Sequence, residues 1–253
     1  MKTLKLYINE ALHVNKNTKI QTYDYCPQTT SDLHKLVDKL IKERGKNADL
    51  NDIDTSEITD MEDLFWESDF NGHISAWDTS NVKNMQGMFW NADFNGDISK
   101  WDVSNVTNMQ TMFYYSKFNG DISRWDIGKV RSTYGMFTHS KFNGDISKWD
   151  VSNVKDMSNM FQDSKFNGDI SEWDVSKVEN MERMFYKSKF NGDISKWDVS
   201  KVGNMRYMFT HSKFNGDISK WDVSNVDDML CMFNESPLHD NRPKWYYKPT
   251  IKK

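Results

Sequence analysis

The protein has 253 residues and a mass of 29.8 kDa, with 33 basic and 37 acidic side chains that give a net charge of −4. This mild acidic balance provides no electrostatic attraction to nucleic acid or to an anionic membrane, so we expect neither partner. The 15 Phe, 10 Trp and 10 Tyr exclude a disordered chain, which lacks the aromatic side chains that drive burial. No apolar run approaches the roughly 20 residues of a membrane span, so no membrane insertion is expected.

Residues 1–45 are expected to form an N-terminal tail and a capping helix. The first residues, MKTLKLYINEALHVNKNTK, have Lys, Asn and Glu where a signal peptide has its apolar core, so no export signal is expected. An amphipathic helix is predicted from Thr30 to Gly45, because start and stop signals flank apolar residues at helical spacing: Leu33, Leu36, Val37, Leu40 and Ile41. Its apolar face would cover the open end of the domain that follows.

That domain is a repeat array with a period of 24 residues. Every Phe falls on one of two series with this step, which begin at Phe65 and Phe70, and eight Trp form a third series that begins at Trp77. Eight units occupy residues 46–237, and residues 238–253 hold an incomplete ninth repeat and a C-terminal cap. A fixed period of this length is the signature of a solenoid.

Each unit contains two local patterns. The alternation in Ile-Ser-Lys-Trp-Asp-Val predicts a short strand, with Trp inward and Asp outward. Val106, Met109, Met112 and Phe113 then recur at helical spacing, and Ser104 is a plausible N-cap. The predicted fold class is therefore α/β, a solenoid with one short parallel strand and one short helix per repeat. The Asn series that begins at Asn71 would bond the backbones of neighbouring turns.

The unit F-N-G-D-I-S-x-W-D-V-S-N-V-x-N-M-x-x-M-F resembles the repeats of the BspA-like leucine-rich-repeat surface proteins of bacteria, a bacterial-surface repeat of unknown function. The resemblance extends from residue 46 to about residue 247. It implies a right-handed leucine-rich-repeat-like solenoid that binds proteins or host surfaces without catalysis. Such repeats are also common in phages of gut bacteria and in mobile elements. A cell-surface location is implied by this resemblance alone, and the absence of a signal peptide favours a cytoplasmic or phage-associated protein.

The two cysteines are expected to remain free. Cys26 belongs to the cap and Cys231 to the eighth repeat, and seven steps of about 4.8 Å separate them by roughly 30 Å or more. A disulfide needs Cα atoms within about 7 Å, so no bridge should form. Free thiols suit a reducing compartment.

One candidate binding surface is the Lys/Asp face, which follows the predicted strands: Lys100, Asp102, Arg124, Asp126, Lys148 and Asp150. The Asp residues form a row of like charges that repel at the spacing of adjacent strands. The basic row would neutralise them, or each Asp would bond the backbone near its turn. Both structural roles are favoured over a binding role, and a row of Ca²⁺ sites is disfavoured because the nonapeptide spacing of calcium-binding β-rolls is absent.

The second candidate is the aromatic ridge, defined as Trp66, Trp90, Tyr114 and Tyr115 at variable outward positions of the predicted helices. Aromatic side chains are enriched at the centres of protein interfaces. The alternative is that they pack between adjacent helices. Trp66 and Trp90 are the two Trp residues that the repeat core does not require.

The sequence contains no motif typical of an enzyme, a metal site or a cofactor site, and eightfold repetition argues against a single catalytic constellation. We therefore expect a non-enzymatic scaffold for protein–protein recognition, with no cofactor or metal and with a protein partner of unknown identity. The alternative is a structural component or spacer without a dedicated ligand. A monomer is expected, because Pro243, Pro249 and flanking lysines blunt the exposed end of the array.

Overall fold

The computed structural model describes residues 23–247. Helix α1, Thr30–Arg44, begins after Thr29, whose side chain accepts a hydrogen bond from the N–H of Asp32, and ends at Gly45. Leu33, Val37 and Leu40 on α1 are completely buried. A short 3-10 helix, Lys244–Tyr247, closes the other end. The predicted tail of residues 1–22, and residues 248–253, lie outside the described residues.

Between these ends, each 24-residue repeat forms one coil, and the eight coils stack on one another. The rings of the Phe65 series form one continuous column, with neighbouring centroids 5.5–6.0 Å apart. The rings of the Phe70 series form a second column beside it. Because all 15 Phe are buried in these two columns, one hydrophobic core runs the length of the solenoid.

Side chains of two series bond adjacent coils to each other. The indole N–H of each core Trp donates to a backbone oxygen of the preceding coil, as Trp101 Nε1 does to Ile74 O at 3.1 Å. The predicted Asn series is confirmed, since Asn95 Oδ1 accepts from the N–H of Asn119 at 2.7 Å, with the same bond in the next coils. Each coil is thereby held in register with its neighbour by polar bonds as well as by packing.

The predicted strand and helix in every repeat are not present in the described coils. Coils pair in parallel, as predicted, but only through isolated single-residue bridges, such as Asn84 with Asn108. The predicted strand segment is a turn, in which the N–H of Trp101 bonds to Ile98 O. The predicted helix is a run of turns, and Ser104, the proposed N-cap, donates its N–H to Asp102 instead.

The turns take the place of a helix because two residues in each coil have a left-handed backbone. They occupy the position of Thr111 (φ 53°) and the position of Tyr115 (φ 55°) in all eight coils. Between them, alternate N–H groups bond within the coil, as Tyr114 does to Thr111 O, and across coils, as Phe113 does to Met136 O. An α-helix cannot pass through such residues, because left-handed φ angles break its ladder of hydrogen bonds.

We expect the substitution Thr111→Gly to stabilise the protein by about 0.5–1 kcal/mol. A left-handed conformation costs an L-residue roughly 1–2 kcal/mol, more than the flexibility that Gly adds to the unfolded chain. Thr is β-branched and fits this conformation poorly, whereas Gly87 and Gly135 already occupy the equivalent positions. The free energy of unfolding in urea measures the effect.

The matched control is Gln110→Gly, one residue earlier, where the backbone is not left-handed. There Gly gains nothing in the folded state, so the control should lose roughly 0.5–1 kcal/mol. Equal destabilisation by both substitutions would show that Thr111 is not strained.

Candidate functional site

The aromatic ridge is a continuous stack on the outer wall of the first three coils. The rings of Trp90 and Tyr114 are parallel, with centroids 5.5 Å apart and an angle of 3°. Trp66 is inclined by 50° to Trp90 at 5.4 Å, and Tyr115 is inclined to Tyr114 at 5.0 Å. Because equivalent positions of adjacent coils lie one above the other, residues 24 apart in sequence become neighbours.

The sequence left two interpretations of the ridge, a protein interface and packing between adjacent repeats. Each describes part of it. Trp90 and Tyr114 are half-buried, because they pack against each other between adjacent coils. Trp66 and Tyr115 are 53% and 48% exposed. Burial and the nearby Tyr115 hydroxyl raise the pKa of Tyr114, so this phenol stays neutral over the physiological range. The ridge thus has a packed centre and two exposed ends.

Two residues that were not among the candidates extend the ridge. His139 stacks on Tyr115 with centroids 4.1 Å apart, and its Nδ1 lies 3.0 Å from Asp163 Oδ2. Tyr115, His139 and Asp163 occupy the same left-handed position of successive coils. The 24-residue period could have shown this, because it places residues 115, 139 and 163 in one column.

On the Lys/Asp face, the aspartates have a structural role. Asp102, Asp126 and Asp150 each accept a hydrogen bond of 3.0 Å from the N–H two residues later. The other coils repeat this bond. The hydroxyl and then the N–H of Ser104 lower the pKa of Asp102. The row therefore has the turn-bonding role, one of the two structural roles predicted for it.

The alternative role, neutralisation of this row by the basic row, is not observed among residues 23–247. Lys100, Arg124 and Lys148 are exposed, and within the described residues none is paired with an Asp of the row. Lys100 helps to lower the pKa of Asp97, after the N–H and hydroxyl of Ser99. Arg124 and Lys148 act in the same way on the acidic residues three positions before them.

No group of three or more His, Cys, Asp or Glu side chains that could hold a metal ion occurs between residues 23 and 247. Cys26 and Cys231 are both free, as predicted. The described part of the chain has no helix that is long and apolar enough to cross a membrane.

Comparison with known proteins gives one family. The chain matches the family described as "Mycoplasma protein of unknown function, DUF285" in three overlapping stretches, residues 32–144, 117–210 and 184–249. No curated protein and no solved structure matches it. The overlapping matches fit a repeat solenoid, because each stretch begins before the previous one ends. Together they extend over most of the sequence, so the chain belongs to this repeat family of unknown function.

Proposed function

We propose that the protein is a non-enzymatic repeat scaffold that binds another protein through the aromatic ridge. The observation that carries this proposal is the exposure of Trp66 and Tyr115, the two most exposed aromatic side chains of the eight repeats, on an ordered stack of rings. Exposed aromatic side chains held in place by their neighbours are typical of interface hot spots. The Lys/Asp face is the weaker candidate, since turn bonds already account for its aspartates.

The kinship with BspA-like leucine-rich-repeat surface proteins is part of this proposal, as is the right-handed winding it implies. This kinship implies a partner protein on a host surface or on a neighbouring cell. A cytoplasmic or phage-associated location is the alternative, and the partner then belongs to that compartment.

Quantitative capture from a host extract tests the ridge. We expect immobilised protein to retain a partner in stoichiometric amount, and the double variant Trp66→Ala, Trp90→Ala to lose at least about nine-tenths of it, since hot-spot residues are each worth about 2 kcal/mol or more. The control is Tyr134→Ala, which removes an exposed aromatic side chain outside the ridge. Equal capture by the double variant and the wild type would refute the proposal.

A structural component or spacer is the second candidate, and the last coil favours it. The N–H groups of Met229, Cys231, Phe233 and Glu235 have no acceptor among residues 23–247, whereas their equivalents in the inner coils bond to the next coil. Such an open edge can pair with another backbone. Sedimentation velocity at several concentrations tests this: growth with concentration favours assembly, and a constant monomer, which we expect, favours recognition.

A further inference from the structure

The first coil is much more acidic on its outer wall than the coils that follow. Residues 57–69 contain six carboxylates and no Lys or Arg: Glu57, Asp60, Glu62, Asp63, Glu67 and Asp69. The equivalent residues of the sixth coil, 177–189, contain two acidic and four basic side chains. Since the whole chain has a net charge of only −4, negative charge is concentrated at this end of the ridge.

Trp66 lies between these carboxylates in the sequence, in a tight turn. Asp63 and Trp66 are the first and last residues of one turn, in which the N–H of Trp66 bonds to Asp63 O at 3.0 Å. Amide groups of the next coil hold the Glu62 carboxylate in place, since Gln86 Nε2 donates to it at 2.9 Å. Burial and then the charge of Glu62 raise the pKa of Asp63, while His34 on α1 acts in the opposite direction.

In the sixth and seventh coils, residues at the equivalent positions place a cation beside an aromatic ring. Tyr186 occupies the column of Trp66, and Lys187 Nζ lies 5.4 Å from its ring centroid. The Arg183 guanidinium lies 4.9 Å from the ring centroid of Tyr207. Within the described residues, no Lys or Arg is placed in this way on the ridge.

The exposed ring of Trp66 is also accessible to a cation. Trp66 is inclined by 50° to Trp90, so the two rings do not cover each other as those of Trp90 and Tyr114 do. Cations bind over the face of an aromatic ring, most favourably over Trp. Carboxylates around the ring add attraction over roughly 10 Å at moderate ionic strength.

We infer that Trp66, with Glu62, Asp63 and Glu67 around it, binds an Arg or Lys side chain from a basic segment of a protein partner. This inference rests on the proposed function and specifies the chemistry of its partner. The cation takes the place that Lys187 has over Tyr186, and the carboxylates supply the counter-charge. Arg is favoured over Lys, because its planar guanidinium stacks on an aromatic ring.

Fluorescence anisotropy with a labelled synthetic peptide of alternating Arg and Ser tests the inference. We expect binding that weakens when salt rises from about 50 to about 300 mM, because the attraction is screened. The same peptide with citrulline in place of Arg keeps the shape but lacks the charge, and it should bind at least about tenfold more weakly.

Two variants of the protein use residues that occur in the same columns of other coils and should fold normally. Trp66→Gln copies Gln162, and the triple variant Glu62→Gln, Asp63→Asn, Glu67→Asn copies Gln86, Asn159 and Asn91. Each should weaken binding of the Arg peptide by about tenfold. The matched control, Tyr186→Gln in the sixth coil, should leave binding unchanged.

Equal binding of the Arg and citrulline peptides, or undiminished binding by both variants, would overturn the cationic partner. Capture of a neutral partner by the ridge would overturn it as well, while leaving the proposed function intact. Failure of the proposed function is distinguishable, because the Trp66 and Trp90 double variant would then capture as much partner as the wild type.

Discussion

Replacement of Phe142 by Ala should lower the free energy of unfolding by about 3–5 kcal/mol, the usual cost of deleting a buried aromatic ring. Phe142 is completely buried near the middle of the solenoid. Its ring lies 4.4 Å from that of Phe137 and 6.3–6.4 Å from those of Phe118 and Phe166, measured between centroids. The deletion therefore removes contacts with the coils on both sides.

The cavity left by this substitution cannot easily collapse. Asn143, the next residue, donates its N–H to Asn119 and accepts from the N–H of Asn167 through Oδ1. These bonds fix the distance between adjacent coils, so the neighbouring rings cannot move in to fill the space. A cavity that persists costs more than the transfer of the side chain alone.

Guanidinium denaturation, followed by Trp fluorescence and by circular dichroism, measures the loss. Tyr134→Ala is the control, because Tyr134 is 41% exposed, and it should change stability by less than about 1 kcal/mol. A loss below about 1 kcal/mol for Phe142→Ala would contradict a continuous, tightly packed core.

The second large effect is a loss of stability in acid. Ten aspartates have a lowered pKa in the folded protein, because a serine two residues later donates hydrogen bonds to each carboxylate: Asp97, Asp102, Asp121, Asp145, Asp150, Asp169, Asp193, Asp198, Asp217 and Asp222. In most of them the serine N–H contributes more than its hydroxyl, and in Asp102, Asp150 and Asp198 the order is reversed.

The sign follows from proton linkage. A carboxyl group whose pKa is lowered by folding binds a proton more readily in the unfolded chain, where its pKa is about 3.9. Its contribution to stability is complete above that value and is lost as the pH falls through the pKa of the folded state. Ten such groups act together, whereas Asp63, whose pKa is raised by burial and by Glu62, acts in the opposite direction. We therefore expect stability to fall steeply below about pH 4.

The free energy of unfolding, measured in urea from pH 7 to about pH 2.5, checks this prediction. The comparison is a variant with Asp97, Asp121, Asp145 and Asp169 changed to Asn, which still accepts the turn bond but does not titrate. Its stability should fall less steeply with pH. A wild-type curve that stays flat across this range would contradict the assigned hydrogen bonds.

Much of this protein follows from the sequence read at its period of 24 residues. The step between equivalent Phe residues predicts the coil length, the buried columns and the number of coils. The Asn series predicts the bonds between coils, and Gly45 marks the end of the capping helix. These features are readable because each depends on residue type at a fixed position, and the repeat displays that position several times.

The local conformation of the coil was not readable from one repeat. Val106, Met109 and Met112 are spaced as in a helix, yet spacing by three also fits successive turns, in which an N–H bonds three residues back. Thr111 and Tyr115 decide between a helix and successive turns, but neither is a Gly or Asn, the residues that usually mark a left-handed backbone. The left-handed backbone is indicated only when equivalent positions are compared, because Gly87, Gly135 and Asn159 occupy the position of Thr111 in other coils.

The sequence thus determined which residues are buried, how long each coil is and how many coils there are. The tertiary structure alone decided where the backbone hydrogen bonds go. The N–H of Phe113 has no partner within its own coil, because its acceptor is Met136 O in the next coil. Such a bond exists only when two coils stack, so no property of a single repeat could have predicted it. The same stacking places Trp66 beside Trp90 and Tyr115 beside His139, and so creates the ridge.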